Sequence, residues 1–332
     1  MKLRDIVPYK IMRERRIKQH FQILKAQQEP LVYNRKGQRK RVFYLQDVLA
    51  QHTPYTLVLD QEPEEILWDR NNTGLPIQFF SHKAIFEEAS PYCVRKYALL
   101  FESETIQPED YTRVMDDPGR MAEYSKIFTF SDQVLDRYQN ALFIPASGLW
   151  YGTAVNGGTL DERRYEKKEK NVSVVASAKS HTKYHRLRVE TAKRAVEADL
   201  ADGYGAFCNN RVNKKADALD DYRYSIVVEN DVKPYYFTEK ILDCFASMTI
   251  PVYLGATKIG KYFNMDGIIT LEEEKCDHIE DVLKQCSAQD YEARREAVID
   301  NFERVKQYRC IEDYLMMHYR DEFSLDDVEN KS

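Results

Sequence analysis

The stretch Tyr222-Arg-Tyr-Ser-Ile-Val-Val-Glu-Asn-Asp-Val-Lys-Pro-Tyr-Tyr-Phe-Thr-Glu-Lys-Ile-Leu-Asp243 decides the fold. Residues 225–228 form an apolar, β-branched run that reads as a buried strand. A polar loop over 229–236 follows and enters a helix at Thr238, a hydroxyl residue suited to cap the first turn. Glu239 and Lys240 fall in that turn, while Ile241, Leu242 and Phe245 are placed to face the sheet. A helix N-terminus at the carboxyl edge of a strand gathers free backbone N–H groups and the positive end of the helix dipole, so it receives anions. Lys240 adds a full positive charge for a phosphate. Glu239, once ionised, only accepts hydrogen bonds, as a ribose hydroxyl requires. By itself the triplet Thr238-Glu239-Lys240 fits equally well a favourable first-turn acid beside a solvated lysine.

Outward from this unit the text keeps alternating. Downstream, 249–254 reads as a buried strand ending at Gly255, 268–271 as one more strand, and 280–309 as mostly helix. Upstream, 172–176 is strand-like, 184–197 helical and 203–208 strand-like. Earlier strand-like runs are 55–60, 76–80, 97–101, 126–130 and 141–145. Strands separated by helical text imply parallel sheets with crossovers. Asn156-Gly157-Gly158 opens a polar stretch to Lys170 with almost no apolar residues, which reads as a linker. The expected organisation is a basic segment 1–30, a domain 31–155, a linker 156–170, a domain 171–315 with long C-terminal helices, and an acidic tail 316–332. The fold class is α/β, with two Rossmann-like domains facing a cleft where ligands meet the carboxyl ends of strands.

Composition supports this and narrows function. A chain of 332 residues suits two domains of about 150 residues each. Hydrophobic residues at 43% and charged residues at 31% are ordinary for a folded protein, and only 12 Gly and 11 Pro exclude a collagen-like chain. A net charge of −5 argues against a generally basic nucleic-acid binder. The apolar runs are too short for a bilayer, which needs about 20 residues. No apolar leader follows Met1-Lys2-Leu3-Arg4-Asp5. Cys93, Cys208, Cys244, Cys276, Cys286 and Cys310 show no CxxC spacing, so they read as reduced, buried thiols of a cytoplasmic protein rather than zinc ligands. The first thirty residues carry eight Lys and Arg against three Asp and Glu, interleaved with apolar side chains. Such a segment can lie on an anionic membrane surface, or dock as a solvated helix on its own domain.

The complete phrase around Thr238-Glu239-Lys240 is far more specific than the triplet. Glu229-Asn230, Tyr236, the triplet, and Ile250-Pro251-Val252-Tyr253-Leu254-Gly255 keep their order and spacing as one pattern. This pattern resembles the signature of the α1,3/α1,4-fucosyltransferase family. Asp231 departs from it, since a serine is common there. Val174-Val-Ala-Ser-Ala-Lys-Ser180 followed by Arg186-Leu-Arg-Val-Glu190 is similar to the family's strand and arginine-led helix. Ala98-Leu-Leu-Phe-Glu102-Ser-Glu104, with Pro108 and Tyr111, resembles the strand that ends in the family's catalytic glutamate.

The resemblance implies an inverting transferase of the GT-B type. Its donor is GDP-fucose and its acceptor a hydroxyl of N-acetylglucosamine or glucose in a glycan, linked α1,3 or α1,4. Domain 31–155 would face the acceptor, and 171–315 would hold the donor. An inverting transfer needs a base opposite the departing diphosphate and passes through an oxocarbenium-like state. Glu102 is the implied base, with Glu104 as fallback. Arg186, with Arg188 second, joins Asn230, Tyr236, Glu239 and Lys240 as donor-binding residues, and the cations stabilise the leaving GDP without a metal. Another nucleotide sugar, or a non-catalytic glycan-binding relative, are the competing readings. Asp220-Asp221 could pass for a metal site but read as a solvated turn. His181 and His185, four apart, read as polar lining rather than a metal pair.

Overall fold

The computed structural model describes residues 31–33, 39–47 and 61–325. The first domain holds β1 (Leu31–Tyr33), β2 (Arg39–Gln46), β3 (Ile66–Asp69), β4 (Ile77–Ser81), β5 (Arg95–Leu100), β6 (Lys126–Thr129) and β7 (Ala141–Phe143). They form one sheet in the order β1-β2-β4-β5-β6-β7, with β3 also paired to β2. All pairs are parallel except β1 with β2. The second domain holds β8 (Lys170–Val175), β9 (Asp202–Tyr204), β10 (Tyr222–Val228), β11 (Ile250–Leu254) and β12 (Ile269–Thr270). Its sheet runs β12-β11-β10-β8-β9, parallel throughout. Each sheet is therefore of the type expected from alternating strands and helices.

β10 is the centre of the second sheet. Ile226 pairs with Val252 on one side and with Val174 on the other. Because helices cover both faces, its apolar residues run continuously instead of alternating. β9 is shorter than the expected 203–208. Gly205 takes φ +114 and leads into a single turn over Ala206–Cys208. A Cβ on Gly205 would stand 2.1 Å from the Ala176 carbonyl oxygen, so only glycine lets the chain turn there. The long helical stretch after 279 divides into Ile279–Leu283, Ala288–Ala293 and Arg295–Val305. Ser287 makes one break by accepting the Asp290 N–H as an N-cap.

Two expected boundaries are corrected. The second half of the 156–170 linker belongs to the second domain. Tyr165 is buried and stacks on Tyr291 at 4.6 Å, and its hydroxyl donates to the Tyr291 carbonyl. The buried Lys168 donates to the Leu219 carbonyl at 2.8 Å and to Thr249 Oγ1 at 2.9 Å. The polar composition of the stretch conceals these anchors. Residues 316–325 of the expected acidic tail are likewise part of the fold of the first domain. The helix Ile311–Tyr319 and the turn Arg320–Phe323 return to the first sheet. There Phe323 is fully buried against Phe43, Phe79 and Tyr97. Arg95 Nε donates to the Ser324 carbonyl, and Trp68 donates its indole N–H to Glu312 at 2.8 Å. The apolar residues between the charges, not the charges, decide where this segment goes.

The six cysteines are unpaired; four are buried, whereas Cys93 and Cys208 are partly exposed. Among the described residues no helix is long and apolar enough to cross a membrane. The expected strand at 55–60, the basic segment 1–30 and residues 326–332 lie outside the described residues.

Two measurements check this architecture. Phe323→Ala empties an aromatic site in the first core and should lower unfolding free energy by about 3–5 kcal/mol in denaturant titrations. Burial pushes the Lys168 ammonium down to about 7, against an ordinary 10.5, and nearby Asp220 only partly offsets it. The folded state then binds fewer protons than the unfolded one between those two values, so stability rises with pH across that window. Lys168→Met should flatten this rise; thermal unfolding of both proteins at pH 7 and pH 9 measures the difference.

Candidate active site

Glu229 follows β10 directly, and its N–H extends the sheet by donating to the Leu254 carbonyl at 2.8 Å. Its carboxylate is fully buried. Oε1 accepts the Thr238 N–H at 3.0 Å; Oε2 accepts the Thr238 hydroxyl at 2.7 Å and Lys240 Nζ at 3.3 Å. The loop between β10 and the helix Glu239–Ala246 is thus closed on one carboxylate. Thr238 caps that helix as expected, its Oγ1 accepting the Lys240 N–H. Gly255 allows the close packing beneath, since a Cβ there would lie 2.6 Å from Glu229 Cγ.

Lys240 and Glu239 form an ion pair at 3.4 Å in the helix's first turn. Burial pushes the Glu239 carboxyl up, but Lys240 and Lys215 outweigh it and hold its pKa below the ordinary value. Glu239 is therefore ionised at neutral pH and purely an acceptor. Lys215 is paired with the buried Asp243 at 2.6 Å. The other oxygen of Asp243 accepts the main-chain N–H groups of Trp150 and Tyr151 at 2.8 and 2.9 Å.

Trp150, Lys215, Thr238, Glu239 and Lys240 line a cavity of about 590 Å³ between the two domains, within the range of small-molecule sites. Glu102 and Trp150 stand on its first-domain wall, and Arg188, Asn230, Glu239 and Lys240 on the other. Tyr236 also lines it, with its ring 4.9 Å from Phe130. Of the two arginines considered from sequence, Arg188 reaches the cavity. It is buried, donates from Nε to the Val228 carbonyl at 2.7 Å, and donates from its fork to Asn230 Oδ1 at 2.6 Å. Arg186 is exposed on the helix Lys183–Glu197 and donates to the Ser180 carbonyl at 3.0 Å. His185 is also on the cavity wall, and burial and then Arg188 keep its imidazole below the ordinary pKa, hence neutral. His181 stands 6.5 Å away, ring to ring.

The two glutamates after β5 separate clearly. Glu102 faces the cavity, and its Oε1 accepts the Ser103 N–H at 2.8 Å. The chain then turns, and Glu104 leaves the wall. Its Oε1 accepts the Ser131 hydroxyl at 2.6 Å, and its Oε2 pairs with Lys233 across the cleft at 2.8 Å. Asp231, the departure from the family pattern, accepts the Thr105 hydroxyl at 2.7 Å, also across the cleft. Asp220 and Asp221 lie in a turn, as expected, with Asp221 exposed; the half-buried Asp220 also accepts the Tyr151 hydroxyl and pairs with Arg164 at 2.9 Å.

Several wall residues escaped sequence reasoning. Trp150 presents an indole N–H that is buried and has no protein partner among the described residues. A single Trp in a loop carries no local signal of such placement. Lys215 was hidden likewise, because its role depends on Asp243, 28 residues away; Glu229 belonged to the quoted pattern, but its place beneath the helix start depends on Thr238, 9 residues away.

Comparison with known proteins bears on this geometry. Residues 165–310 match the family described as glycosyltransferase family 10 (fucosyltransferase), C-terminal. An α-(1,3)-fucosyltransferase FucT of Helicobacter pylori is 34% identical over 64 residues, which are 19% of this chain and 13% of that protein. The match therefore spans only a small part of the relative's length. The sucrose-phosphate synthase of Thermosynechococcus elongatus matches with a TM-score of 0.52 at 10% identity, covering 85% of this chain and 88% of its own. A crystal structure of an α1,3-fucosyltransferase with GDP-fucose matches with a TM-score of 0.48 at 14% identity, covering 80% of this chain and 88% of its own. The likeness to the synthase concerns the fold: two Rossmann-like domains in the GT-B arrangement. The central strand, the buried Glu229 and the Thr-Glu-Lys helix start all fall within residues 165–310, the part of the chain that matches the C-terminal domain of the fucosyltransferase family.

Proposed function

We propose that the protein is an inverting fucosyltransferase that moves L-fucose from GDP-fucose to a hydroxyl of a glycan acceptor. The observation that carries this reading is the convergence of Glu102 from one domain with Arg188, Glu239 and Lys240 from the other on a single cavity. The likeness of residues 165–310 to the fucosyltransferase family supports fucose as the sugar, with N-acetylglucosamine or glucose as the acceptor residue and α1,3 or α1,4 linkage. A peripheral position on an anionic membrane, through residues 1–30, is part of the same reading.

The chemistry follows from the groups. Glu239 accepts hydrogen bonds from the ribose hydroxyls. Lys240, at the helix N-terminus, and Arg188 meet the diphosphate. The acceptor hydroxyl gives its proton to the Glu102 carboxylate as its oxygen attacks the anomeric carbon from the face opposite GDP. The bond from that carbon to the phosphate oxygen breaks, and GDP leaves with the electron pair. Arg188 and Lys240 stabilise the negative charge that grows on the phosphate, the task a bridging metal performs elsewhere. Glu104 is held by Ser131 and Lys233 and takes no part.

Turnover of GDP-fucose on a glycan array, beside GDP-mannose and UDP-sugars, tests the donor. Transfer from GDP-fucose alone, undiminished by a chelator, is expected. Lys240→Ala and Arg188→Ala should each weaken GDP binding roughly tenfold or more, about 1.4 kcal/mol, for one lost charged contact. Arg186→Ala should leave calorimetric GDP affinity within about twofold. Equal losses at Arg186 and Arg188 would return the donor role to both.

The base is tested by Glu102→Gln, which should bind GDP normally while kcat falls roughly 10²-fold or more. Glu104→Gln should cost much less. Normal kcat in Glu102→Gln places the base elsewhere.

A further inference from the structure

Glu102 stands where the backbone has just left the sheet, since β5 ends at Leu100. The N–H groups of Phe101 and Glu102 therefore need a partner outside the ladder. The imidazole of His82 supplies it. Nε2 lies 3.3 Å from the Phe101 nitrogen and 3.2 Å from the Glu102 nitrogen. Nδ1 lies 3.1 Å from Asp110 Oδ2, and both side chains are almost completely buried. An amide N–H can only donate, so Nε2 must offer its lone pair. The ring proton then resides on Nδ1 and points at the Asp110 carboxylate. The partners of His82 thereby select one neutral tautomer.

The opposite side of the same residue is held as well. Tyr111 donates its hydroxyl to the Glu102 carbonyl at 2.6 Å. Asp110 and Tyr111 are neighbours on one helix, Pro108–Asp116, so that helix holds the Glu102 carbonyl directly and its N–H through His82. Phe101 packs edge-on against the His82 ring at 5.0 Å. His82 itself takes φ +50, a left-handed conformation uncommon for a non-glycine residue. Such backbone persists where the surroundings over-determine it.

We propose that Asp110 and His82 are positioning residues for the acceptor-side base: Asp110 fixes the tautomer of His82, and His82 fixes the backbone from which the Glu102 carboxylate reaches the acceptor. This rests on the reading of Glu102 as the base. Neither residue touches substrate. Their effect is geometric, and small misplacements of a reacting group can cost roughly 10²-fold in rate.

The experiment uses the full chain, GDP-fucose and the best glycan acceptor from the array. Asp110→Ala should lower kcat roughly tenfold or more, with GDP affinity and donor KM unchanged. Asp110→Asn, which still offers an acceptor oxygen to Nδ1–H, should recover most of that loss. The deciding arm is the double variant. In a Glu102→Gln background, Asp110→Ala should change kcat by less than about twofold, because the group it positions is already gone. His82→Asn, which tolerates φ > 0 but cannot span both N–H groups, should behave as Asp110→Ala does. Equal losses in both backgrounds, or loss of GDP affinity together with kcat in Asp110→Asn as well, would make the pair purely structural and overturn the proposal. Should Glu102→Gln alone keep normal kcat, the base reading falls instead, and that outcome is distinct from additivity.

Discussion

The Glu229 carboxylate, with no exposure to water, sits under the donor side of this site. Placing Glu229 there is costly unless every lone pair finds a donor. The protein supplies a main-chain N–H, a hydroxyl and an ammonium, all from residues 238–240. Meeting that demand determines where the helix Glu239–Ala246 begins, which way Lys240 points and how β10 and β11 end together at Gly255. The anion-binding corner is in this sense a by-product of neutralising one buried acid. It also explains why the chain can hold a cation in the site without a ligand: Lys240 already has partners in Glu229 and Glu239.

What could be read in advance was what is local. The strand, loop and helix around residue 238 lie within one short stretch, and period, cap and charge all agree there. Choices that depend on rotation about an axis were not legible. Arg186 and Arg188 are two residues apart on a helix, which puts them on roughly opposite faces. Both have apolar neighbours in sequence, so only contact with the Val228 carbonyl distinguishes them. Glu102 and Glu104 would point the same way on a continued strand. The turn between them, pinned by Ser131 and Lys233, separates their fates. The C-terminal segment misled for another reason: its charges dominate composition, while Phe323 determines its position.

The two domains are also joined more closely than a two-domain reading suggests. Residues from the first sheet, the helix Glu239–Ala246 and the helix Ile311–Tyr319 belong to one buried apolar cluster. The last segment crosses from the second domain to the first and carries aromatic side chains into the core beneath β4 and β5. Cohesion of this kind leaves the cavity walls set by packing on both sides, and Trp150 and Tyr151 are further tied to the second domain through Asp243.

The contacts of Thr105 with Asp231 and of Glu104 with Lys233 have a mechanical consequence. They lie two and three residues from Glu102 on one side and one and three residues from Asn230 on the other. With the buried apolar cluster shared by both domains, they fix the segment after β5 against the loop after β10. The spacing between Glu102 and the donor wall is thus built into the protein, which takes the place of a ruler for any acceptor that enters.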